Sequence, residues 1–110
     1  EVGRLLYAQA AKTLKRVSLE LGGHAPFVIF DDADIEKAAR EVTLSKFRNA
    51  GQTCISTNRV IVQSGIVEQF TDALSRATQA LTLGDPLQQE TQVGPLVQLA
   101  LPVLSKLLIW

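Results

Sequence analysis

Cys54 is the only cysteine of the chain, and it closes the run Asn49-Ala50-Gly51-Gln52-Thr53-Cys54, where a helical pattern gives way to a loop. A lone thiol so placed is a candidate nucleophile, because a thiolate attacks a carbonyl carbon when a base or a positive field favours its ionisation. The candidate base is Glu20, set in Val17-Ser18-Leu19-Glu20-Leu21-Gly22-Gly23. One carboxylate inside an apolar run is in surroundings that favour a proton-accepting carboxyl. A Cys and Glu pair fits two reactions. One is acyl transfer by a cysteine hydrolase. The other is oxidation of an aldehyde through a thiohemiacetal that loses hydride to a nicotinamide, leaving a thioester that water opens with help from the carboxylate. Backbone amides around Thr53 to Ile55 are available as donors to the oxyanion of either reaction.

The elements that must hold these groups follow from periodicity. From Arg4 to Arg16, Leu6, Ala10 and Leu14 recur at helical spacing, with Lys12, Lys15 and Arg16 towards the end, which predicts an amphipathic helix. Val17 to Leu21 reads as a short strand stopped by Gly22-Gly23. Ala25 to Phe30 reads as a second strand, continuous enough in apolar character to be buried on both faces of a parallel sheet. Asp31, Asp32 and Asp34 supply caps for a helix with Ile35, Ala38, Ala39 and Val42 on one face. Gly51 breaks that helix, and Arg59 to Gln63 forms the next strand. A long stripe through Val67, Phe70, Leu74, Ala77 and Leu81 ends at Gly84-Asp85-Pro86. Residues 84–95 read as the longest loop. Strands alternating with helices predict an α/β architecture with a mostly parallel sheet.

Composition narrows the function classes. Eleven basic and eleven acidic side chains cancel, so the chain has no electrostatic footprint for nucleic acid or an anionic membrane. Leu99 to Trp110 is apolar but too short for a span, which needs about 20 residues. One cysteine and one histidine, His24, leave no metal-ligand spacing, and the absence of an internal disulfide favours a reducing, cytoplasmic compartment. His24, between Gly-Gly and Ala-Pro, reads as a loop residue. The chain contains no methionine and no leader pattern, which predicts a start inside a longer protein.

Leu19-Glu20-Leu21-Gly22-Gly23 followed by Phe47-Arg48-Asn49-Ala50-Gly51-Gln52-Thr53-Cys54 resembles the paired active-site signatures of the NAD(P)-dependent aldehyde dehydrogenase superfamily. The resemblance runs from Glu1 to about Val97, and Ser45 to Cys54 with Asn58-Arg59 is most similar to the succinate-semialdehyde dehydrogenase branch. It implies a fragment of that family's three-layer αβα fold. Residues 1–21 would end the dinucleotide-binding domain, 22–97 would start the catalytic domain, and 98–110 would be a divergent or truncated tail.

The resemblance also implies roles. Cys54 is then the nucleophile and Glu20 the general base. Arg48 binds the distal carboxylate of the substrate, and Val2, Gly3 and Leu21 lie on the cofactor side. The implied cofactor is NAD or NADP, and the implied substrate is succinate semialdehyde. Glutarate semialdehyde, another aldehyde and a non-catalytic structural remnant are the alternatives. Family members commonly form dimers or tetramers. Many members of the branch carry a second cysteine two positions after the nucleophile, where this chain has Ser56, so no redox switch between two such thiols is available. The family's oxyanion asparagine, cofactor lysine and second cofactor-contacting glutamate have no counterparts here, which predicts little or no activity for the 110-residue chain alone.

Overall fold

A parallel β-α-β unit is the centre of the molecule. Strand β1 (Ala25–Ile29) leads through helix α2 (Ile35–Phe47) to strand β2 (Thr57–Val62), which runs parallel to β1. Helix α1 (Val2–Ala11) precedes this unit, and helix α3 (Val67–Gln79) follows it. The structure is a computed structural model, and it describes residues 1–97 together with the backbone of Leu108–Ile109. That last pair forms strand β3, parallel to β2, giving the sheet order β1-β2-β3. The rest of the tail expected at 98–110 lies outside the described residues.

Helix α2 starts where the aspartates predict, because the Asp34 side chain accepts a hydrogen bond from the Lys37 amide at 3.0 Å. Asp31 has a different task. Its carboxylate accepts from the Gln63 side chain at 2.8 Å and its amide donates back to that side chain at 3.1 Å, locking the exits of β1 and β2 together. Ile29, Val60 and Val62 meet Ala39 and Val42 of α2 and Phe70, Ala73 and Leu74 of α3 in one core. Phe70, Val42 and Val60 are 0% exposed, and each such side chain contributes about 1.5–3 kcal/mol of transfer free energy.

Several expectations need correction. Strand β1 is buried on one face only: Ile29 is buried while Pro26 and Val28 are exposed, because α2 and α3 pack on the same side of the sheet. The first helix stops at Ala11 and does not reach Arg16, since Leu14 turns into the left-handed region at φ 53° and the Lys15 amide bonds back to the Ala10 carbonyl at 3.1 Å. Val17 to Leu21 is extended-looking in sequence but forms no strand, as no described strand lies beside it to complete a ladder. Strand β2 begins two residues earlier than Arg59, and α3 ends at Gln79, short of Leu81. Residues 84–95 form a loop as expected, closed by Gln92 and Val93 amides donating to the Thr82 carbonyl.

The β1-β2 ladder contains a register shift. Ala25 pairs with Thr57, but Pro26 pairs with Arg59, so Asn58 is an extra residue without a partner. Proline at position 26 has no amide to give the ladder, which makes this the place where a break is tolerated. Thr57, Val60 and Val62 are all buried, an inward pattern that needs the extra residue between 57 and 60.

Candidate active site

The turn that presents Cys54 is built from strained backbone. Asn49, Ala50 and Gly51 follow one another in the left-handed region, with φ of 52°, 55° and 77°. Glycine adopts this freely and asparagine tolerates it, but alanine does so at a cost of about 1–2 kcal/mol. Side chains hold the turn closed. The Asn49 amide donates to the Gln52 carbonyl at 3.4 Å, and the Gln52 side chain donates to the Asn49 carbonyl at 3.0 Å. A second turn follows, in which the Ser56 amide donates to the Thr53 carbonyl at 3.1 Å and lifts Cys54 to the surface. Cys54 is an exposed free thiol, unlike the inert buried cysteines common in α/β cores.

Polar links fasten the far side of this turn to α2. The Ser56 hydroxyl donates to the Lys46 carbonyl at 3.0 Å, Ser45 and Thr57 hydroxyls lie 2.6 Å apart, and the Lys46 ammonium donates to Asn58 Oδ1 at 3.2 Å. Ser56 and Thr57 are 1% and 2% exposed, so position 56 is filled by a satisfied structural hydroxyl. Lys46 is 3% exposed, and burial lowers its pKa from the ordinary 10.5.

Glu20 and Cys54 line one cavity of about 480 Å³. Glu20 to Gly23 form one wall and Gly51 to Cys54 the other. The two segments approach closely at Gly23, where a Cβ would stand 3.0 Å from the Cys54 carbonyl oxygen. Asn58 bridges the same gap, its amide donating to the Gly23 carbonyl at 3.1 Å. Glu20 itself is exposed, so the burial expected from its apolar neighbours is absent: with no strand at 17–21, nothing described covers it.

Arg48 lies outside that cavity. It lines two adjacent hollows, one of about 280 Å³ with Glu41, Ser45 and Thr53, and one of about 380 Å³ with Phe47, Leu81 and Gln92. Thr53 is shared between the 280 Å³ hollow and the Cys54 cavity, so the two spaces are neighbours. Gly3 is the buried residue of α1, and a Cβ on it would come within 2.6 Å of a Leu21 methyl. That contact sets α1 against the Glu20 wall. Val2 is 61% exposed and His24 is an exposed loop residue, both outside the cavity.

The wall of Leu21, Gly22 and Gly23 presents one apolar side chain and two residues without side chains to the cavity. Among the described residues no cluster of three His, Cys, Asp or Glu side chains exists to hold a metal, and no helix is long and apolar enough to cross a membrane. Lys46 and Asn58 stand in the segments that carry the branch resemblance, but the sequence assigned them no role. The signal for Lys46 was present, since it continues the core stripe Ile35, Ala39, Val42 at helical spacing.

Comparison with known proteins gives the family and the fold. Residues 1–101 match the model of the aldehyde dehydrogenase family. The NADP-dependent succinate-semialdehyde dehydrogenase of Escherichia coli is 52% identical over 97 residues, covering 88% of this chain and 20% of that protein. A glutarate-semialdehyde dehydrogenase of Pseudomonas putida is 48% identical over 97 residues, again covering 88% of this chain and 20% of that protein. The crystal structure of betaine aldehyde dehydrogenase from Staphylococcus aureus in complex with NAD+ superposes with a TM-score of 0.83 at 34% identity, over 89% of this chain and 19% of that one. The chain thus spans about a fifth of the length of the curated relatives it matches.

Proposed function

Because the chain belongs to the aldehyde dehydrogenase family, we propose that it is the nucleophile-bearing segment of an enzyme that oxidises succinate semialdehyde to succinate. The observation that carries this reading is the shared cavity, with Glu20 on one wall and Cys54 on the other. In the proposed reaction the Cys54 thiolate forms a C–S bond to the aldehyde carbon, and the carbonyl electron pair moves onto oxygen. Bound beside Leu21, a nicotinamide of NAD or NADP supplies the acceptor for the hydride whose loss oxidises that carbon to a thioester. Glu20 then takes a proton from water as the water adds to the thioester, the C–S bond breaks, and the thiolate is released with the carboxylic acid.

Arg48 is assigned the distal carboxylate of the substrate, since its planar guanidinium grips a carboxylate through paired hydrogen bonds from a hollow adjoining the Cys54 cavity. Leu21 to Gly23 is the proposed junction between a cofactor-side segment and the catalytic segment. A glutarate-semialdehyde activity is the second reading, favoured by the 48% identity to such an enzyme.

The experiment is a chimera in which residues 1–97 replace the matched segment of the Escherichia coli enzyme. Cys54→Ala should abolish the burst of reduced cofactor, a loss on the order of 10⁴-fold or more in turnover. Glu20→Gln should keep the burst and slow release of acid by about 10²- to 10⁴-fold. Arg48→Leu should raise KM for succinate semialdehyde by about 10- to 100-fold and leave an uncharged aldehyde unaffected. A burst that survives Cys54→Ala would refute the assignment. The 110-residue chain by itself should turn over no aldehyde, and measurable turnover would overturn that expectation.

A further inference from the structure

Lys46 is a buried ammonium at a core position of α2, 3% exposed, and Arg76–Glu36 is the one ion pair among the described residues, so no carboxylate balances it there. A charge taken out of water without a counter-charge is costly, and a fold that keeps one has to satisfy its donors well. Its partner is Asn58 Oδ1 at 3.2 Å, and the same amide group donates from Nδ2 to the Gly23 carbonyl at 3.1 Å. Asn58 is also the residue without a ladder partner at the register shift. A cation on the carbonyl end of an amide polarises it and makes its N–H a stronger donor.

We infer that Lys46 and Asn58 are positioning residues, whose relay to Gly23 holds the Glu20-bearing turn over Cys54 so that the carboxylate reaches the water attacking the thioester. The inference rests on the dehydrogenase reading given above. The relay is a side-chain link from the α2-β2 core to the wall that carries Glu20, and it lands three residues from that carboxylate, at the point where the two walls come closest. Its action falls on acid release and spares the attack by sulfur, because Cys54 is held independently by the Asn49–Gln52 and Thr53–Ser56 turns.

Asn58→Asp separates this role from a merely structural one. Aspartate keeps the acceptor for Lys46 and adds the missing counter-charge, but loses the donor to Gly23. In the chimera, Asn58→Asp should retain the full burst, keep KM for the aldehyde within about twofold, leave the thermal midpoint undiminished, and slow thioester hydrolysis by about 10- to 100-fold. Lys46→Met should slow the same step less, since the neutral Asn58 amide still donates. A readout independent of turnover is the carbon NMR signal of the Gly23 carbonyl in the labelled 110-residue chain, which should shift in both variants. Hydrolysis within about twofold of the unmutated chimera, or an unmoved Gly23 signal, overturns the relay. Loss of the burst in Asn58→Asp also overturns it, because the effect would then reach beyond Glu20. A burst persisting in Cys54→Ala would instead bring down the dehydrogenase reading on which the relay rests.

Discussion

The two walls of the Cys54 cavity are held by different means. The Cys54 wall grows out of a packed core: α2 and β2 flank it, Val42, Val60 and Phe70 are 0% exposed, and three side-chain links tie Ser45, Lys46, Ser56, Thr57 and Asn58 together behind it. On the Glu20 wall, residues 12–24 carry no helix or strand, Leu14 is 91% exposed, and the described ties to the rest of the molecule include the Asn58 bond to Gly23, the seat of Gly3 under Leu19 and Leu21, and the Lys15 amide bond to Ala10. A nucleophile needs one rigid turn. Under the proposed reaction, a base acting on a mobile water also has to be aimed from across the gap, and the contacts described on that wall are few.

The contrast can be broken by unbalancing the core. Phe70→Ala should destabilise the chain by about 3–5 kcal/mol, whereas Leu14→Ala on the other wall should fall within about 0.5 kcal/mol. Urea midpoints compare them, and equal losses would show that the segment before β1 is as integral to folding as α3. A smaller effect tests the strained turn. Ala50→Gly relieves a left-handed alanine costing about 1–2 kcal/mol and gives back about 0.4–1 kcal/mol in unfolded-chain entropy, for a net gain of about 0–1.6 kcal/mol. A loss of stability on that change would mean the Ala50 methyl, 4% exposed, packs for more than its backbone costs.

Lys46 gives a test that depends on pH. Its folded pKa is lowered by burial from 10.5, so between the folded value and 10.5 the unfolded chain binds more protons than the folded one. Stability therefore rises as pH climbs through that window, and the penalty is fully present below it. Relative to Lys46→Met, the unmutated chain should gain stability as pH rises towards 10.5, and parallel curves would remove the buried-charge argument. The smallest effect belongs to Glu36→Gln. The Arg76–Glu36 pair is 63% and 62% exposed, and removing it should cost no more than about 0.5 kcal/mol.

What could be read in the sequence was local. Asp34 as a cap, the β-branched run of β2 and the glycine at 51 each act through their own backbone, so their elements sit within about two residues of where periodicity puts them. Two motifs in register led to the expectation that Glu20 and Cys54 act together, and the two residues line one cavity. Val17 to Leu21 misled because a strand is defined by a neighbour, and apolar composition carries no information on whether one is present. Lys46 escaped notice for a related reason: a lysine at a core position looks like an interruption of the stripe until its distant acceptor is known. The register shift at Pro26 was likewise invisible, since proline marks where a ladder can break and not which residue the opposite strand gains.

That gained residue limits how the Cys54 turn could be grafted elsewhere. Side chains alternate between the two faces of a strand, so copying Gly51 to Thr57 onto a regular strand without an equivalent of Asn58 would invert the parity between turn and sheet. A transplanted thiol would then emerge on the opposite face of its new sheet, and the smallest portable unit is the turn together with its one surplus position.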